Sequence, residues 1–381
     1  MPIYFDNSAT TPIDPRVVDA MLPYLSQHFG NPSSMHMWGR EARAAVDKAR
    51  RQVADFVGAT ANEIIFTASG TEADNMALSG VLGHGDRAVV SAFEHPAVME
   101  TCKQLVRLGV DVSYLPVGKD GIVDPDDLKP LLDEHTKLVS VMTANNVVGT
   151  IQPIQELSRM AHDYGSLFHT DAVQAAGKIS LAPISVCCDL LSLSGHKIYG
   201  PKGIGALFIK NGIPLAPVIY GGGQERHLRS GTESVPLIVG LGMATDLVGQ
   251  EMQDEVVNLV QLRDRIIDEV GLPLIGDRYR RLPGHVCFSL AGYEGDAIKV
   301  LLALDECGIA VSSGSACSAS HAAEPSYVLQ AMGMDAIRAR GSLRITLGKF
   351  NTNQEVDEFI SVMPEILASL NKTSSFGVKN D

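Results

Sequence analysis

The stretch Ile64-Ile65-Phe66-Thr67-Ala68-Ser69-Gly70-Thr71-Glu72-Ala73-Asp74-Asn75 joins an apolar run, a turn of small residues and the opening of a helix. Ile64 to Thr67 reads as a short buried strand, and Thr71 to Leu82 as a helix. The pattern recurs along the chain. Arg40 to Val57 carries Ala and Val at helical spacing, and Gly58 can end that helix. Ala88 to Ala92 is a strand, and Pro96 is placed to open the next helix at its first turn. Strands follow at Val110 to Val117, Leu138 to Thr143, Leu167 to Thr170 and Gly205 to Ile209, with a helix at Ile154 to Tyr164. Strands that alternate with helices of this length predict an α/β fold with a mostly parallel sheet.

The texture changes near residue 245. Asp246 to Val270 reads as a long amphipathic helix. Strands at Val286 to Leu290 and Leu343 to Leu347 follow, with helices at Gly295 to Cys307 and Asn353 to Leu370. This predicts a smaller α+β domain, and Asn371 to Asp381 reads as a frayed polar tail. The expected division is a large domain over 15–250, and a small one made of 1–14 and 251–381. No internal repeat or low-complexity segment is visible.

Composition narrows the function. The 381 residues carry a formal charge of −13, which argues against general affinity for nucleic acid or an anionic membrane. No apolar stretch is long enough to predict a transmembrane helix, and Met1 to Asp6 lacks the pattern of a signal peptide. The six cysteines form no CxxC pair. They predict neither a disulfide scaffold nor a metal site, and the chain reads as a reduced, cytoplasmic protein.

Three motifs carry chemistry. Backbone N–H groups at a helix start attract anions, so the turn at Gly70-Thr71 reads either as a phosphate cradle or as a plain N-capped helix. In Ser192-Leu193-Ser194-Gly195-His196-Lys197-Ile198-Tyr199-Gly200-Pro201-Lys202-Gly203, a lysine follows an apolar run. Against apolar walls it becomes a nucleophilic amine suited to a Schiff base; otherwise it is a surface lysine. In Phe168-His169-Thr170-Asp171-Ala172-Val173-Gln174, an aspartate ends a buried strand. There it either meets a ligand or caps a helix. Order joins the three: phosphate turn, His95, Asn146, Asp171 with Gln174, then Lys197, each after a successive expected strand. Such a set fits pyridoxal 5′-phosphate (PLP), with Asp171 keeping the ring nitrogen protonated.

The chain resembles the class-V aminotransferases of PLP-dependent fold type I, and within them the NifS/IscS-type cysteine desulfurases. The resemblance rests on Tyr4 to Thr11, Gly30-Asn31-Pro32-Ser33-Ser34, Glu94-His95-Pro96-Ala97-Val98, Ser194 to Gly203, Arg229-Ser230-Gly231-Thr232 and Ser312-Ser313-Gly314-Ser315-Ala316-Cys317, in the family's order. It implies a large PLP-binding, dimerising domain with a mostly parallel seven-stranded sheet flanked by helices. It also implies roles. Lys197 holds the cofactor and moves protons, and Asp171 pairs with the ring nitrogen. His95 stacks on the ring and takes the substrate thiol proton. Asn146 and Gln174 contact the phenolic-oxygen side and the substrate. Gly70, Thr71, Ser194 and His196 bind phosphate, which Thr232 reaches from the partner of a homodimer. Arg344 clamps the substrate carboxylate. Two departures stand out: Val147 follows Asn145-Asn146 where the family usually has Glu, and Ser69 precedes Gly70-Thr71.

Cys317 decides the subclass. It lies in a run of small residues with turn propensity, so it is either an incidental loop cysteine or a thiol on a mobile loop. The family match favours the second. It implies transfer of sulfur from L-cysteine to Cys317 as a persulfide, release of L-alanine, and delivery to an iron–sulfur scaffold protein or another sulfur acceptor. No metal site is expected beyond a transient cluster ligand at Cys317 in such a complex. The other five cysteines read as structural. The competing readings are a selenocysteine lyase or class-V aminotransferase on the same fold, and a non-catalytic assembly scaffold.

Overall fold

Eleven strands form among the described residues, which in the computed structural model are 2–314 and 324–374. They are β1 (Ile3–Tyr4), β2 (Ile64–Thr67), β3 (Arg87–Ser91), β4 (Asp111–Leu115), β5 (Thr136–Ser140), β6 (Leu167–Asp171), β7 (Leu190–Ser194), β8 (Gly205–Ile209), β9 (His285–Ser289), β10 (Ile309–Ala310) and β11 (Ser342–Thr346). Seven make the central sheet in the order β2-β8-β7-β6-β5-β3-β4. Strands β3 to β7 are parallel where they pair, and β8 runs antiparallel to both β7 and β2. The segment 195–204 between β7 and β8 is too short for a crossover helix, so the chain returns antiparallel. Apart from the edge strand β4, which buries only Leu115, the strands are largely buried and mostly apolar, as a sheet covered on both faces requires.

The helices largely follow the sequence signals. Met37–Val57 ends at Gly58 in the left-handed region, at φ 75°. Pro96–Arg107 opens on its proline. The long helix differs from expectation: it spans Val235–Val270 and begins well before Asp246. Gly240 and Gly242 break the helical signal in the sequence, but close packing explains them. A Cβ on Gly242 would lie 2.6 Å from Ala49 Cα, so glycine lets the helix Met37–Val57 approach. The last helix also runs further than expected, to Ser374.

That long helix serves two cores. Ile238, Leu241, Ala244 and Val248 pack with the sheet, whereas Leu259, Leu262 and Ile266 pack with a second cluster containing Phe288, Leu343 and Phe359. Around the second cluster β9 pairs antiparallel with β11, and β1 pairs parallel with β10. Ile3 and Phe5 belong to this second core, which ties the chain's first residues to its last strands. No helix among the described residues is long and apolar enough to cross a membrane.

Candidate active site

Five strands of the sheet deliver side chains to the same edge, beyond their carboxyl ends, where open α/β sheets bind ligands. β2 leads to Gly70, β3 to His95, β5 to Asn146, β6 to Asp171, and β7 to His196 and Lys197. These residues line one cavity of about 480 Å³, with Thr71, Gln174, Ser194 and Arg344. Of the residues expected at the site, this cavity gathers all but Thr232 and Cys317. Thr232 is exposed and lines a separate cavity of about 210 Å³ with Arg229 and Glu225. Cys317 lies outside the described residues.

The turn at Gly70 is a capped helix start that also faces the cavity. Ser69 caps the helix Gly70–Val81 by accepting from the Glu72 N–H at 3.1 Å. Gly70 and Thr71 still line the cavity. A Cβ on Gly70 would lie 2.8 Å from Val173 Cγ2, so only glycine fits between the helix start and the loop after β6. At the opposite wall, Lys197 Nζ donates to the Ser8 and Ala9 carbonyls. Its charge depresses the basicity of its neighbours. His95 is pushed down to about 4, chiefly by burial and then by Lys197, and His196 to about 4 for the same reasons.

His95 also has a fixed tautomer. Its Nδ1 accepts from the Ala97 N–H at 3.1 Å, which leaves the ring proton on Nε2. A neutral ring held this way can stack and donate. Its one lone pair is already engaged, so it is poorly placed to accept a thiol proton. Asp171 is buried, and its Oδ1 accepts from the Val173 N–H at 2.8 Å. Burial raises its carboxyl to about 6, against the backbone hydrogen bond and the Lys197 charge. Gln174 Nε2 donates to the Ser8 carbonyl at 3.0 Å, while its buried Oε1 has no partner among the described residues.

Arg344 is 2% exposed. Its Nη2 donates to Asp6 Oδ1 at 2.9 Å and its Nη1 to the Asn146 carbonyl at 3.0 Å. Asn145 rather than Asn146 shapes the turn between them, with Asn145 Oδ1 accepting from the N–H groups of Val147 and Val148. Val147 is buried in the main core, so the residue that departs from the family pattern serves packing.

The sequence reading gave no role to several residues of this cavity. Asp6, Ser8 and Ala9 form a wall from the N-terminal segment, and Asp74, Met142 and Ser312 also line it. Asp6 was inside a quoted motif, but nothing local marks it as a partner for an arginine 338 positions away. Asp74 stands one turn into the helix Gly70–Val81, and nothing local in the sequence gives it a role. Among the other cysteines, Cys102, Cys188 and Cys287 are buried, as expected of structural residues. Cys187 is half-buried and packs against the main core, whereas Cys307 is exposed. Among the described residues no group of His, Cys, Asp or Glu is arranged to hold a metal ion.

The donor set fits a phosphorylated pyridine aldehyde: a glycine-lined helix start for the phosphate, a buried carboxylate for a pyridinium, an amine for the aldehyde and an unpartnered amide oxygen between. The protein belongs to the aminotransferase class-V family, whose model matches residues 3–359, and that family is PLP-dependent. Its relatives are more specific. It is 46% identical over 98% of its length to cysteine desulfurase IscS of Dictyoglomus turgidum, covering 96% of that protein, and 45% identical to cysteine desulfurase IscS of Methanosarcina thermophila, covering 98% of this chain and 93% of that one. Among solved structures, a NifS-like protein superposes with a TM-score of 0.90 at 38% identity, over 97% of this chain and 100% of that one. A structure described as SspA in complex with cysteine superposes with a TM-score of 0.78 at 34% identity, over 92% of this chain and 100% of that one.

Proposed function

We propose that the protein is a PLP-dependent cysteine desulfurase that converts L-cysteine to L-alanine and places the sulfur on Cys317 as a persulfide. The observation that carries this reading is the convergence of Lys197, Asp171, His95 and Arg344 on one cavity, beside a helix start able to hold a phosphate. Gly70, Thr71, Ser194 and His196 would hold the phosphate, Asp171 the ring nitrogen, His95 the ring face and Lys197 the aldehyde carbon. When bound, the cofactor supplies an electron sink for the pair left at the substrate's Cα.

The chain's own residues do the rest. Arg344 fixes the substrate carboxylate by charge-assisted hydrogen bonds and so orients its Cα. Lys197 Nζ takes the Cα proton. His95 excludes water from one ring face and donates from Nε2. The Cys317 thiol takes the substrate sulfur, so that L-cysteine and a thiol give L-alanine and a persulfide with atoms and electrons balanced. We propose that the large domain is 15–250 and that 1–14 with 251–381 form the small domain carrying the Cys317 segment and Arg344. We further propose a cytoplasmic homodimer in which the exposed Thr232 of one protomer reaches the phosphate of its partner, and delivery of the persulfide to an iron–sulfur scaffold protein or another sulfur acceptor.

The test is anaerobic. The cofactor-loaded protein is given L-cysteine and a thiol reductant, and alanine and sulfide are quantified together, beside Cys317→Ala. Equal amounts of the two products, lost in the variant, are expected. Full sulfide release by Cys317→Ala would overturn the persulfide step, and a keto acid in place of alanine would move the reaction to transamination.

A further inference from the structure

Beneath the cavity lies a second acid that the proposed chemistry leaves idle. Asp74 sits one turn into the helix Gly70–Val81, is 1% exposed, and lines the same cavity as Asp171. Its Oδ1 has no hydrogen-bond partner among the described residues. The nearest ring nitrogen, His169 Nε2, is 3.6 Å away, too far to donate well. His169 is itself fully buried and already engaged, Nδ1 with Ser140 Oγ at 2.9 Å and Nε2 with Ser192 Oγ at 3.0 Å. The Ser192 hydroxyl in turn supports Asp74. Among the described residues, no lysine or arginine forms an ion pair with Asp74.

Two carboxyls buried in one cluster cannot both ionise cheaply, because each is desolvated and each repels the other. They are not equally compensated. Asp171 has the Val173 N–H and the charge of Lys197. Asp74 has only a serine hydroxyl beside it, and its Oδ1 stands without a hydrogen-bond partner among the described residues. The proton therefore settles on Asp74. Burial pushes the Asp74 carboxyl well above the ordinary range.

We infer that Asp74 is a positioning residue: a carboxylic acid kept neutral and hung on the chain Ser192–His169–Ser140, which backs Asp171 so that the pair's single negative charge lies on the carboxylate facing the pyridine nitrogen. The inference rests on the reading of the cavity as a PLP site with Asp171 beneath that nitrogen. Asp74 acts through Asp171. Its service is steric and dipolar, and it adds no second charge.

The test compares Asp74→Asn, Asp74→Ala and Asp171→Asn in the full chain. The readouts are the dissociation constant for PLP, the visible absorbance of the loaded protein, and the pH at which that absorbance changes. Asparagine mimics a neutral acid in shape and polarity. Asp74→Asn is expected to match the parent protein within about twofold in affinity, with an unchanged titration. Asp74→Ala is expected to lose about tenfold and to shift the titration by about one pH unit, since one unit corresponds to tenfold. If Asp74→Asn weakens binding and shifts the titration as far as Asp171→Asn does, Asp74 carries charge and the inference falls. It falls equally if Asp74→Ala behaves like the parent. Should Asp74→Ala fail to fold, Ser192→Ala, which removes the hydroxyl under Asp74, is expected to give a smaller shift in the same direction. An unchanged titration there would count against the chain. Parent-like cofactor binding by Asp171→Asn would instead overturn the underlying reading of the site.

Discussion

Replacing Arg344 separates carboxylate recognition from the chemistry it serves. The guanidinium is anchored by Asp6 at 2.9 Å and the Asn146 carbonyl at 3.0 Å, and its buried Nε has no partner among the described residues. Its position is thus set before substrate arrives, and a carboxylate would meet a rigid fork. Arg344→Lys keeps the charge and gives up the fork. One charge-assisted hydrogen bond is then lost, worth about 1.5–3 kcal/mol. At about 1.4 kcal/mol per factor of ten, kcat/KM for L-cysteine should fall roughly 10- to 100-fold, mostly through KM. Cysteamine, which is cysteine without its carboxylate, supplies the control. The parent protein should prefer L-cysteine strongly, and the variant should lose most of that preference while keeping its affinity for PLP. An unchanged KM with an unchanged L-cysteine to cysteamine ratio would refute the assignment of Arg344 to the substrate carboxylate.

Three further outcomes follow from the geometry. Gly70→Ala places a methyl group 2.8 Å from Val173 Cγ2, so it should destabilise the protein by about 1–3 kcal/mol and weaken PLP binding, read by thermal unfolding and fluorescence titration. Glu94 is fully buried, with its carboxyl raised from 4.5 to about 8 by desolvation, so the folded state binds the proton more tightly than the unfolded one. Its contribution to stability is therefore complete below pH 4.5 and declines by about 1.4 kcal/mol per pH unit as the pH rises towards about 8. Glu94→Gln, which keeps an oxygen to accept from Ser91 and the Met142 N–H, should flatten that part of the stability profile; an identical slope in the variant would show that Glu94 is ionised in the fold. His95→Phe keeps an aromatic face and removes the Nε2 donor. It should retain most of the PLP affinity while lowering kcat, whereas loss of cofactor would mean that stacking alone does not explain His95.

Much of this was legible in the sequence because short apolar runs and sharp turns are local signals. Ile64 to Thr67, the proline at 96 and the glycine at 58 each announce an element without reference to the rest of the chain. Site residues at strand ends inherited that legibility: Asp171 and Lys197 follow buried runs and arrive at one edge because the strands are parallel. What stayed hidden depends on distant packing. The early start of the long helix is masked by Gly240 and Gly242, whose purpose is visible only where Met21 and Pro201 crowd the first and the helix Met37–Val57 crowds the second. Asp6 gains meaning from Arg344, and Asp74 from Asp171. Neither pairing leaves a trace in spacing or periodicity. The antiparallel β8 was legible as a strand but not in direction, because direction is fixed by the length of the connection before it.

The most direct measurement is a single anaerobic turnover with L-cysteine, followed by alkylation and peptide mass spectrometry of the whole chain. One extra sulfur on the Cys317 peptide, with one alanine released per site, is the predicted result. Alanine released with no extra sulfur on Cys317, or with the sulfur on another of the chain's cysteines, would contradict it.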